Sequence, residues 1–170
     1  MTYILEHDVD IDTVRTWCTT ALPGVRVEVV LDAFDDDSVW DRCDVLLSYE
    51  KVDGGVHLKT WKPPSLATGD EQSHVAFAFA LCDVGAPSVL ALSRAMLQTT
   101  SPYFSLRVSP TAVVVVDDSH VDVSADEDAD ADQASFGWDL AKLVDVGEVD
   151  RGEVLRWVRG ERGPLPVPSA

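Results

Sequence analysis

Asp126, Asp128, Asp130 and Asp132 stand at every second position of this 170-residue chain. That spacing suggests a hard cation, because calcium takes several carboxylate oxygens from one short flexible segment. The pattern departs from a helix–loop–helix calcium loop, however. With Asp128 as the first ligand, Gln133 occupies the position where the sharp turn needs glycine, and Asp139 the position where a bidentate glutamate closes the shell. His7, Asp8, Asp10 and Asp12 alternate within a turn and would converge on a metal only with distant ligands. Cys18, Cys43 and Cys82 are widely spaced, form no CxxC or Cys/His set, and read as buried thiols of a reducing cytoplasm. His57, His74 and His120 fall on separate segments, and no serine or cysteine lies in a GxSxG context. Gly54-Gly55 falls in a hairpin turn and not between a strand and a helix, which argues against a phosphate loop. No catalytic residue, metal or cofactor is assigned, and the chain is read as a non-enzyme.

The chemistry that remains is electrostatic. Thirteen Lys and Arg face thirty Asp and Glu, a formal charge of −17. Such a surface repels phosphate backbones and anionic lipid, so neither nucleic acid nor membrane is expected as a partner. The charge is also unevenly distributed. From Val108 to Ala141 there is no Lys or Arg, while nine acids stand between Asp117 and Asp139. Like charges this dense repel one another unless something basic neutralises them. A second cluster, Asp32, Asp35, Asp36, Asp37, Asp41 and Asp44, surrounds Phe34 and Trp40. Aromatic anchors mixed with acids are the texture of a protein-binding surface, the aromatics contributing affinity and the acids steering. The candidate partner-binding residues are therefore Phe34, Asp35, Asp36, Asp37, Trp40 and Asp41 in the first segment, with Asp126, Glu127, Asp128, Asp130 and Asp132 in the second.

The elements that must position these segments follow from periodicity. Tyr3 to Glu6 reads as an opening strand, and Ile11, Val14, Trp17, Cys18 and Leu22 fall at helical spacing behind an Asp10 or Asp12 cap, closed by Pro23-Gly24. Val25 to Leu31 alternates like a half-buried strand, and Asp35 to Arg42 suits a short helical turn. Val45–Val52 and Val56–Trp61, joined through Asp53-Gly54-Gly55, form a hairpin. Asp70 caps an expected buried helix to Cys82, and Pro87 opens a second expected helix through Met96 and Leu97. Tyr103–Val108 and Ala112–Val116 are further strands, the valine run suggesting a central position. Phe136 to Val146 suits either a helix or a sheet-edge segment, and Asp150 with Glu153 caps a last helix before Gly160.

A chain of this length and 46% apolar content supports one core. The expected fold is α+β: a mixed, mostly antiparallel sheet of five to six strands with helices mainly on one face. Residues 1–162 form the expected single domain, with 117–135 as an acidic loop and 163–170 as a flexible proline-rich tail. With no basic region before a long apolar run at the start of the chain, cytoplasmic residence is expected. The functional expectation is an acidic inhibitor or immunity-type protein that neutralises a cationic toxin or enzyme. The alternatives are a halophilic or other acidic cytosolic housekeeping domain, and a small secretion-chaperone-like binding module.

Overall fold

The computed structural model describes residues 2–31, 33, 38–67, 69–91, 97–98, 104–119, 122–123, 137–138 and 140–168. Strand β1 (Thr2–Leu5) places Tyr3 and Leu5 on one side and Ile4 on the other, and all three are buried. Burial on both sides requires neighbours on both edges and cover on both faces. The neighbours are β4 (Gly55–Lys62) and β5 (Val89–Ala91), each antiparallel to β1. Around this centre the chain also forms β2 (Val27–Val30), β3 (Val45–Val52), β7 (Phe104–Val108), β8 (Val113–Asp117) and β11 (Val144–Val149). The resulting sheet has eight strands in the order β11-β8-β7-β5-β1-β4-β3-β2, parallel only at β2–β3. Two small ladders stand apart, β9 (Asp122–Val123) with β10 (Gly137–Trp138), and β6 (Leu97–Gln98) with β12 (Leu165–Pro166).

One face of the sheet carries the main core. Helices α1 (Ile11–Ala21), α3 (Asp70–Asp83) and α4 (Arg151–Val158) set Val14, Cys18, Phe77, Leu81, Val154 and Trp157 against Tyr3, Leu5, Leu47, Leu58 and Leu106. Local chemistry starts two of these helices: Asp10 accepts the Thr13 amide at 2.8 Å, and Asp150 accepts the Glu153 amide at 2.8 Å. The opposite face is covered in two places. The one-turn helix α2 (Val39–Arg42) closes a small core of Ala33, Val39, Cys43 and Leu46, and a 3-10 turn (Leu140–Lys142) lays Leu140, with Leu143, over Ile4, Leu90 and Val116.

The α+β class, with a mixed and mostly antiparallel sheet, matches the expectation, but the sheet has eight strands where five to six were expected. Two segments make the difference. Val89–Ala91, expected inside a helix opened by Pro87, is β5, because an apolar run buried on both faces has the same pattern in either state. The segment Phe136 to Val146, which suits either a helix or a sheet edge, runs into the edge strand β11 at Val144. Asp70 does not cap α3; Gly69 takes that place with no side-chain bond. The valine-rich β8 lies next to the edge strand and not at the centre. The tail from Gly163, expected to be flexible, is anchored at Leu165, which is buried in the main core and paired with Leu97. No helix among the described residues is long and apolar enough to cross a membrane.

Candidate protein-binding surface

Trp40 sits on α2 because Val39 and Cys43 turn inward to Leu46, leaving the indole half-buried along the small core. Its Nε1 donates to the Ala33 carbonyl at 2.9 Å, which fixes the chain on either side of the first acidic segment. Trp61 meets Trp40 edge-on at 6.2 Å between ring centroids and donates its own Nε1 to Ser48 Oγ at 3.1 Å. Lys59 Nζ lies 4.1 Å above the Trp61 ring, while Lys62 Nζ donates to the Trp40 and Cys43 carbonyls. Trp40 is thus a packing residue that holds α2 to the sheet, with part of its ring at the surface. Asp41 is exposed in the same turn and makes no ion pair among the described residues. Phe34, Asp35, Asp36 and Asp37 lie outside the described residues, as do Asp126, Glu127, Asp128, Asp130 and Asp132.

The described ends of the two acidic segments define where those segments leave the fold. The first leaves at Ala33 and returns at Val39, both in the small core around α2. The second leaves at Asp118, which accepts a hydrogen bond from Ser105 Oγ, and returns at Leu140, packed over Ile4. Ser105, Ile4 and Leu46 alternate with the main-core residues Leu106, Leu5 and Leu47, so they all belong to the face turned away from α1, α3 and α4. The described ends Ala33 and Val39, and Asp118 and Leu140, therefore lie on one face, with the β9–β10 ladder between the second pair and residues 126–132. Among the described residues, ion pairs that tie the fold together include Asp8 with Lys51, Asp12 with Arg15 and Glu28 with Arg42. In the first segment both oxygens of Asp44 engage Arg26, and that guanidinium holds its carboxyl down at about 2.

Between these two pairs of ends the same face carries a polar cluster that sequence reading missed. Arg107 grips Glu6 with Nε and Nη2 at 2.7 and 2.8 Å, reaches Asp145 with Nη1, and Ser88 Oγ donates to Glu6 at 3.1 Å. The Arg107 and Glu6 side chains are 23% and 16% exposed. These residues are about a hundred positions apart in the chain and become neighbours only through the strand order, so no local signal marks them. The cluster joins β1, β7 and β11, with every polar group of the Arg107 fork engaged by a carboxylate, which suits a clamp better than a catalytic group. Replacing Arg107 with methionine is expected to cost about 2–3 kcal/mol, since Glu6 would stay half-buried without its counterion; urea unfolding measures it, and a loss within about 0.5 kcal/mol would remove the clamp.

The other groups capable of chemistry are confined. Burial pushes the Cys18 and Cys82 thiols up to about 12, and Cys43 Sγ is turned onto the Val39 carbonyl. His57 Nδ1 lies 3.2 Å from Glu50 on the neighbouring strand. His74 is buried to 1% exposure, and neither ring nitrogen has a hydrogen bond of ordinary geometry. Among the described residues no three His, Cys, Asp or Glu side chains group as metal ligands. What this geometry defines is a class, an α+β protein with one helix-covered sheet face and one face that holds the described ends of the acidic segments. No protein-family model, curated protein or solved structure matches the chain.

Proposed function

We propose that this protein is an inhibitor or immunity-type protein that binds a basic toxin or enzyme, such as a nuclease, and neutralises it by protein–protein contact. The observation that carries the reading is that the described ends of the two acidic stretches, far apart in the chain, lie on the same sheet face. An enzyme that binds phosphates presents cations, and a compact anionic surface can occupy that groove by offering the charge its substrate carries. Phe34, Asp35, Asp36, Asp37, Trp40 and Asp41 would form one side of the contact, and Asp126, Glu127, Asp128, Asp130 and Asp132 the other. The partly exposed Trp40 ring supplies an apolar anchor beside the unpaired Asp41.

The test is affinity purification of the tagged protein from its native lysate at low and at raised salt, followed by an activity assay on what elutes. The expected result is a stoichiometric basic protein, released by salt, whose activity falls when the purified acidic chain is added back. Recovery of the chain alone at low salt, together with refolding that requires molar salt, would support a halophilic housekeeping domain instead.

A further inference from the structure

A groove of about 330 Å³ lies where the edge strand β11 runs into α4, roofed by the anchored C-terminal segment. We infer that it is a docking site for an extended cationic segment of the partner, with the stem of an arginine or lysine on the groove's apolar wall and its charged head beside Glu148 and Asp150. This rests on the reading of a basic partner and adds a contact outside the two acidic segments.

The wall is Val149, Leu165, Val167 and Pro168. It is held in place because Leu165 is buried in the main core and Pro168 abuts Gly147, where a Cβ would come within 2.7 Å of the proline ring. Pro166 and Pro168 present carbonyl oxygens but no amide hydrogen. The acidic end is built by strand periodicity: Glu148 and Asp150 are two residues apart at the end of an extended segment and point to the same side. Glu153 also lines the groove, but Arg156 and Arg162 both engage it, so it attracts little further charge. Glu148 has no ion pair among the described residues, and Asp150 spends one oxygen on the Glu153 amide. The available side-chain groups are thus acceptors at the end of an apolar trough, which complements a side chain with a long aliphatic stem and a cationic tip. The volume falls at the low end of the range for ligand pockets, suited to one side chain.

Fluorescein-labelled tetra-arginine, followed by fluorescence polarisation at low salt, tests the site. Glu148→Gln is expected to raise its Kd about fivefold and Val167→Ala about threefold, whereas Asp53→Asn, in the exposed turn five strands away, changes it by less than about 1.5-fold. Glu148 is exposed, so Glu148→Gln should keep the parent unfolding temperature; Val167 packs half-buried against the main core, so Val167→Ala should lower it by a few degrees and is measured well below that point. Equal losses in Glu148→Gln and Asp53→Asn would reduce the binding to diffuse attraction by the net charge, and an unchanged Kd in Glu148→Gln would remove the groove outright. Either result leaves the acidic segments as the docking surface, while a lysate that yields no basic protein removes the wider reading and not the groove's preference for cations.

Discussion

Gly55→Ala is expected to destabilise the protein by about 3 kcal/mol or more, the largest loss of any single methyl addition in the sheet. Gly55 opens β4 beside β1, and a Cβ there would fall well inside van der Waals contact of the Leu5 carbonyl oxygen, with the Leu5 carbonyl carbon at 3.2 Å and Leu140 Cδ1 at 3.1 Å. The Leu140 side chain can give way, but the Leu5 carbonyl belongs to the central strand and cannot move without distorting the β1–β4 ladder. Backbone strain is not the cause, because Gly55 does not adopt a left-handed conformation; its neighbour Gly54 does, with φ +82°. Gly24 is the matched control. It has φ +81° and open space around its Cβ position, so alanine there should cost only about 1 kcal/mol of conformational strain. Urea unfolding of the two variants separates the mechanisms, and equal losses would show that the close approach at Leu5 is not maintained.

The second large effect is a pH dependence centred on His74. The ring packs 4.1 Å from the Tyr3 ring, and the Tyr3 hydroxyl donates to the His74 carbonyl at 3.2 Å, so α3 and β1 meet at this point. Burial lowers the imidazole to about 4 from its ordinary 6.5, against a weaker upward pull from the Thr2 backbone. The positive charge of the α-amino group adds to the lowering, and the Cys18 thiol and Glu71 carboxylate act on the neighbouring Tyr3 hydroxyl. Between pH 6.5 and 4 the unfolded chain therefore binds a proton at this residue that the folded chain refuses. Stability should fall as pH drops through that window, by about 3 kcal/mol in all, and level off below it. His74→Leu should remove that slope, and at pH 7 it should be neutral or stabilising because a buried imidazole with no hydrogen bond of ordinary geometry is replaced by an apolar side chain. Asp44 acts lower: its contribution, from a folded value of about 2, is lost as the pH falls from about 4 to 2. Unfolding curves from pH 7 to 4 decide the matter, and parallel profiles for the parent and His74→Leu would exclude His74 as the sensor.

Local chemistry was legible at most positions, the Asp70 cap of α3 being an exception that Gly69 replaces. The Asp10 and Asp150 caps, the β3–β4 hairpin and the alternation of β2 depend on residues within a few positions of one another, and each lies where that chemistry puts it. The misreadings have different causes, and for β5 it is burial from both sides. β5 has three buried residues in succession, and such a run carries no period from which strand and helix could be told apart. Leu165 was overlooked because the prolines around it argue for an extended chain but say nothing about whether that chain is docked. For the surface, composition picked out the acidic segments, but their common face depends on which of Ile4 and Leu5, or Leu46 and Leu47, turns toward the helices. The Arg107–Glu6 clamp was beyond reach because strand order, not spacing, brings it together.

Charge reversal tests the proposal of electrostatic docking most directly. Once the basic partner is in hand, its association rate with the parent chain is measured across ionic strength, beside Asp35→Lys/Asp36→Lys/Asp37→Lys and Asp126→Lys/Asp128→Lys/Asp130→Lys. Parent association should slow steeply as salt rises, and each triple variant should associate about tenfold more slowly at low salt with its unfolding curve unchanged. Unaltered rates in both triple variants, with the same salt dependence as the parent, would contradict steering by these segments.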